Sequence, residues 1–178
     1  TSAWLCGWTG APIRIGHDRG AARGYYTASV AAPSKVEPEV LTKLRLLEPL
    51  GLTGSPDVRS PVGSEHTKVV AKQISEGALL LLPGSRKPDH RAPLEMFVDL
   101  GHQARRRGIE PWVLYGPGEE LLAADLAERG GFHLGPPTNV AELAAAMRTA
   151  NVVVTNDTGP MHLSVATGAR TLSLFTVS

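Results

Sequence analysis

The chain lacks the features that mark several protein classes. Cys6 is its single cysteine among 178 residues, so neither an intrachain disulfide nor a cysteine-based metal cluster can form. No apolar run exceeds the five residues of Ala78–Leu82, far below the ~18–20 that a spanning helix needs. Thr1-Ser2-Ala3-Trp4-Leu5-Cys6 shows no basic stretch leading into an apolar one, the pattern of a secretory signal. An initiator Met is missing too, which points to a processed, trimmed or partial chain. An excess of one charge sign is also absent. Residues 1–76 carry nine Lys/Arg against seven Asp/Glu, and residues 77–178 carry nine against ten. That balance argues against a nucleic-acid footprint. The one local exception, Arg105-Arg106-Arg107, falls at the far end of a predicted helix, where cations favour the negative end of the dipole.

Glycine and proline are in excess. The 19 Gly and 14 Pro make up roughly a fifth of the chain, above the usual share of about 12% and below the ~25–30% at which disorder sets in. The composition is that of a turn-rich globular chain.

From Gly77 onward, short apolar runs alternate with helical periods. Ala78–Leu82 reads as a buried strand closed by Pro83-Gly84. Leu94, Phe97, Val98 and Ala104 recur near helical spacing up to Gly108. Trp112–Tyr115 is the next strand, and Glu119–Arg129 the next helix, stopped by Gly130-Gly131. Asn139 and Glu142 have capping-box spacing before Val140, Leu143, Ala144 and Met147. The run 151–155 is β-branched, Pro160–Thr167 a short helix of small residues, and Thr171–Phe175 a final strand. Such alternation implies right-handed crossovers and an α/β, Rossmann-like, doubly wound parallel sheet.

The first part is less regular. Trp4-Leu5-Cys6 and Ile13-Arg14-Ile15 read as two short strands, and residues 38–50 as a helix that Pro49 would end. Residues 1–53 resemble the C-terminal part of an incomplete Rossmann-like domain. Residues 54–76 read as a linker that ends in a short helix around Val69 and Ile74, and 77–178 as a second domain.

Candidate chemistry gathers at three strand ends. In Thr155-Asn156-Asp157-Thr158-Gly159-Pro160-Met161-His162, Asp157 and Thr158 can cap amides, Gly159 admits a ligand close to the backbone, and Pro160 suits a first helical position. A helix N-terminus there would carry partial positive charge and free N–H donors, as a phosphate requires. His162 lies on its first turn. Such junctions also occur without ligands, so spacing alone leaves a purely structural turn open. Pro83-Gly84-Ser85-Arg86-Lys87 adds a hydroxyl and two cations without being a Walker loop, and Gly116-Pro117-Gly118-Glu119-Glu120 adds carboxylates that either accept ribose hydroxyls or cap a helix. Ligands of open α/β sheets bind beyond strand C-termini, where all three ends lie.

The run Asn156–Leu163 followed by Ala166-x-Gly168 resembles the signature of bacterial heptosyltransferases, glycosyltransferase family 9. The resemblance extends through Leu82-Pro83-Gly84-Ser85, Tyr115-Gly116-Pro117-x-Glu119, Glu142-Leu143-Ala144 and Gly10-Ala11-Pro12-x-Arg14-Ile15-Gly16, and so covers nearly the whole chain. It implies a GT-B fold of two Rossmann-like domains, with 1–53 the end of the acceptor domain and 77–178 a donor domain cut short at its C-terminus. It also implies transfer of heptose from an ADP-activated donor to a lipopolysaccharide core acceptor, inverting and needing no metal or other cofactor. The implied place of work is the cytoplasm, with at most peripheral association with the inner face of the inner membrane, and no nucleic-acid partner. Carried over by position, Ser85, Arg91, Asp157, Thr158, Gly159 and His162 would surround the donor diphosphate, and Glu119 (or Glu120) the ribose.

The family's Lys shortly after Pro-Gly is replaced here by His90 or Arg91, and Ala92 stands where the family has Trp. The family's catalytic carboxylate would lie upstream of Thr1. Asp18 sits on a different motif, so no catalytic residue is assigned. Family members also continue past the position of Ser178. A non-catalytic nucleotide or phosphosugar module and a GT-B enzyme using a UDP-sugar are the alternatives. A hydrolase using Ser85 or Cys6 lacks a nucleophile elbow.

Overall fold

The computed structural model describes residues 2–32, 34, 36–55 and 62–176. Two units divide the chain, Thr1–Val58 and Arg59–Ser178. In the first unit, Ser2–Trp8 is a helix (α1), where Trp4-Leu5-Cys6 was expected as a strand. Three apolar residues do not separate a period of 2 from one of 3.6. In the helix Trp4 and Trp8 lie one turn apart with ring centroids at 4.7 Å, and Ala3 on another side is buried. Ile15–His17 (β1) pairs in parallel with Ala28–Val30 (β2), a strand with too little apolar pattern to be expected. Arg14 ties the connection between them: its backbone N–H donates to Thr27 Oγ1 at 2.8 Å and its Nε to the Tyr25 carbonyl at 2.9 Å. The expected 38–50 helix is Glu39–Leu44 (α2) continued by a 3-10 helix, Arg45–Leu50, which accommodates Pro49. Gly51, at φ 69°, ends it.

The second unit begins with Ser64–Ala71 (α3). Val70 and Ile74 are buried in its core, so the stretch from 62 to 76, read as linker, is structural in this unit. The rest of the expected linker falls partly on 56–61, outside the described residues. Leu79–Leu82 (β3), Pro111–Val113 (β4), His133–Leu134 (β5), Val152–Asn156 (β6) and Thr171–Leu174 (β7) form one sheet. Every pairing is parallel, in the spatial order β5-β4-β3-β6-β7. The two-residue β5 escaped the sequence reading because both its side chains are exposed. Strand order therefore runs outward from β3 in one direction and, from β6, in the other.

All four leucines of β3 are buried, and they divide between two cores. Leu79 and Leu81 pack with Phe97 of Leu94–Arg105 (α4) and with Ala123 and Leu126 of Glu120–Gly130 (α5). Leu80 and Leu82 pack with Val70, Ile74 and with Ala145, Ala146 and Met147 of Val140–Thr149 (α6). Helices thus cover both faces, which is why a strand of consecutive apolar residues is stable here. Arg105, first of the three arginines, donates from Nη2 to the Gly131 carbonyl at 2.8 Å and lies 5.3 Å from the Phe132 ring centroid. It serves the carbonyl end of the neighbouring α5 rather than only that of its own helix.

The expected capping box is present: Glu142 N–H donates to Asn139 Oδ1 at 3.0 Å, and Asn139 N–H to Glu142 Oε2 at 2.9 Å. Asn139→Ala should lower stability by about 1 kcal/mol, read as a fall in urea midpoint at constant slope. No change would show that the box contributes nothing to α6.

Candidate nucleotide site

The last strand residues of β3, β4 and β6 open on one side of the sheet, where a cleft of about 580 Å³ is found. The loop after β3 contributes Gly84, Ser85, Arg86, Lys87 and His90. The loop after β4 contributes Tyr115, Gly116, Pro117 and Glu119. The turn after β6 contributes Asp157, Thr158, Gly159 and Pro160, and Leu143 reaches in from α6. The strand order reverses between β3 and β6, and the cleft lies against the loops that follow those two strands. In an open α/β sheet that is the position for a ligand.

Gly159–Ala166 (α7) starts at the cleft with Thr158 as N-cap. Thr158 Oγ1 does not cap the helix; it donates to the Asn156 carbonyl at 3.3 Å. Pro160 carries no N–H and Met161 N–H donates to the Thr158 carbonyl at 3.1 Å, which leaves Gly159 N–H as the donor at an end with partial positive charge. Pro160 sits in the first turn, where it removes no intrahelical bond. Among the described residues the Asp157 carboxylate, Arg86 and the Lys87 ammonium have no hydrogen-bonded or ionic side-chain partner.

Ser85 is buried, and its hydroxyl accepts from Lys87 N–H at 3.3 Å. Glu119 occupies the N-cap position of α5, where its Oε2 accepts from Gly116 N–H at 3.0 Å and holds the β4 loop shut. Glu120 does the corresponding work on the solvent side, accepting from Gly118 N–H at 3.1 Å. A side chain on Gly84 would overlap the Glu119 carboxylate, so the carboxylate lies directly over that glycine.

Five of the seven residues singled out from sequence, Ser85, Glu119, Asp157, Thr158 and Gly159, line this cleft together. Two do not. Arg91 Nε and Nη2 both donate to the Ser85 carbonyl, at 2.9 and 2.7 Å, so its guanidinium is engaged behind the loop. His90, its neighbour, reaches the cleft instead. His162, on the first turn of α7, is exposed and lies outside the lining. Among the described residues no group of three His, Cys, Asp or Glu side chains could hold a metal ion.

Asn156 is a residue whose role spacing did not reveal. It is fully buried. Its Oδ1 accepts from Ala92 N–H at 3.0 Å, and its Nδ2 donates to the Pro83 carbonyl at 2.7 Å and the Gly84 carbonyl at 3.3 Å. The available signal was an amide at the end of a β-branched strand, where an apolar residue would be the default.

The family model for glycosyltransferase family 9 (heptosyltransferase) matches residues 1–178. The chain belongs to this family. Among family and related structures, a glycosyl transferase family 9 protein from Veillonella parvula aligns with TM-score 0.76 and 22% identity over 96% of this chain and 53% of its own. An E. coli ADP-heptose lps heptosyltransferase II aligns with TM-score 0.69 and 16% identity over 98% and 59%. An E. coli heptosyltransferase solved with ADP-2-deoxy-2-fluoro heptose aligns with TM-score 0.66 and 20% identity over 90% and 53%. This family 9 chain thus spans between 53% and 59% of the length of those structures. The α/β, Rossmann-like architecture of GT-B type expected from its motifs is the fold it has. Among curated proteins, no sequence match reaches significance.

Proposed function

We propose that this chain carries the donor-binding part of a glycosyltransferase that moves heptose from an ADP-activated donor to a lipopolysaccharide core acceptor, inverting the anomeric centre without a metal or other cofactor. The observation that carries the reading is the cleft where strand order reverses, with an uncapped helix start on one side and unpaired cations on the other. The diphosphate lies at the Asp157–Gly159 turn, where the Gly159 N–H at the start of α7 and the Ser85 hydroxyl donate to its oxygens. Arg86 and Lys87 supply the positive charge that the family places on a Lys, and His90 lies beside them in the cleft. Arg91 is left out of that role. Oε1 of Glu119 accepts the ribose hydroxyls, and Tyr115, Pro117 and Leu143 form the apolar wall for the base.

Chemically, an acceptor hydroxyl gives its proton to a base as its oxygen bonds to the anomeric carbon and the bond from that carbon to the diphosphate oxygen breaks. The ADP leaving group gains negative charge in that step, and a fixed amide and cations aimed at it lower the barrier without reorganising. No residue of this chain is assigned as the base. No helix among the described residues is long and apolar enough to cross a membrane, and we place the protein on the cytoplasmic side, with peripheral access to a membrane-borne acceptor.

Calorimetric titration of the 178-residue chain tests the reading. ADP should bind, and UDP should bind at least about tenfold more weakly, a difference of about 1.4 kcal/mol. UDP binding as tight as ADP would move the assignment to a UDP-sugar enzyme, and no binding of either would sink it.

A further inference from the structure

The loop from Gly84 to Arg91 carries every cation of the cleft, yet the described contacts give those cations no partner that fixes them. Their placement rests on the backbone, and the backbone is clamped from behind. Asn156 is 0% exposed and touches both ends of the loop. At its start, the Pro83 and Gly84 carbonyls accept from Asn156 Nδ2 at 2.7 and 3.3 Å. At its end, Ala92 N–H donates to Asn156 Oδ1 at 3.0 Å. Within the loop, the Arg91 guanidinium closes the remaining span by its two bonds to the Ser85 carbonyl.

Asn156 is itself held. Its own carbonyl accepts from Thr155 Oγ1, within β6, at 3.2 Å and from Thr158 Oγ1, at the N-cap of α7, at 3.3 Å. The same residue therefore fixes the cation loop and the phosphate-facing turn relative to each other. Only an amide satisfies this set. A carboxylate would accept from Ala92 but would place oxygen against two carbonyls, and an apolar side chain would leave three buried backbone groups unpaired.

We infer that Asn156 is a positioning residue of the donor site: through its buried amide it sets the 84–91 loop so that Arg86, Lys87 and His90 face the terminal phosphate of a nucleoside diphosphate. This rests on the donor-site reading above. Its consequence is selective. AMP shares the adenosine contacts and one phosphate with ADP, whereas the second phosphate depends on the loop.

The test is the ratio of ADP to AMP affinity, measured by calorimetry together with thermal melting, for the unmodified chain, Asn156→Asp and Arg91→Ala. Arg91 is only partly buried and outside the cleft, so its variant carries the test if the buried Asp does not fold. We expect both folded variants to lose about tenfold in the ADP/AMP ratio while AMP affinity changes by less than about threefold. A purely structural role would lower the melting temperature, or weaken both nucleotides equally, and leave the ratio unmoved. That result in any folded variant overturns the inference alone. Failure of the unmodified chain to bind ADP overturns the donor-site reading and this inference with it.

Discussion

Phe97→Ala is expected to destabilise the second unit by about 3–5 kcal/mol. The side chain is fully buried and lies where α4 meets the sheet, in the cluster that also holds Leu79, Leu81, Ala123 and Leu126. Removing the ring forfeits its transfer free energy and opens a cavity between a helix and two strands that cannot easily close, because β3 is held on both sides by parallel neighbours. Small domains are stable by only about 5–15 kcal/mol, so the variant should unfold at a much lower urea midpoint with an unchanged slope. Leu121→Ala is the matched control. Leu121 is 88% exposed on α5, and its replacement should stay within about 0.5 kcal/mol. A Phe97 loss below about 1 kcal/mol would show that α4 does not pack as described.

Gly84→Ala is expected to weaken ADP binding by about 10–100-fold. A Cβ at this position overlaps the Glu119 carboxylate. That group is the far end of a flexible side chain, so it swings away and the backbone stays. Leaving, it gives up the hydrogen bond from Gly116 N–H and the place from which it would meet the ribose. Hydrogen bonds to a charged group contribute about 1.5–3 kcal/mol, which sets the fold-change. Because the glycine acts only through Glu119, Glu119→Ala should bind ADP about as weakly, and the double variant no more weakly than either single one. Additive losses, or an unimpaired Gly84→Ala, would refute this dependence.

The second unit was largely legible in the sequence. Period and capping signals place α4, α5, α6 and the strands β3, β4, β6 and β7 within a residue or two of where they lie, because there the local preferences and the tertiary contacts agree. Asn139 and Glu142 make their box as spaced, and Gly131 ends α5 in the left-handed conformation at φ 60°. The first unit was not legible in the same way. Its strands are three residues long, too short to show a period, and α1 has only seven residues. At the site, sequence identified which strand ends converge but not which side chains turn inward. Arg91 and His90 are adjacent, and only the three-dimensional path of the 84–91 loop sends one guanidinium to a carbonyl and the neighbouring imidazole to the cleft. The role of Asn156 was invisible for the same reason: its partners lie 64 to 73 residues away.

The run of four leucines in β3 has a consequence for how the chain finds its fold. Usually a one-residue slip between strands is forbidden because it turns apolar side chains to solvent. Here both faces of the strand are covered and both receive leucine, so sliding β3 along β6 exchanges like for like and hydrophobicity hardly resists it. The native alignment sets Leu82 opposite Thr155, which brings Asn156 level with Pro83 and lets its amide meet the backbone there. Any other alignment strands a buried amide without acceptors. One polar side chain thus supplies the register that the apolar pattern leaves undetermined, and an apolar replacement would free the sheet to populate misaligned forms during folding.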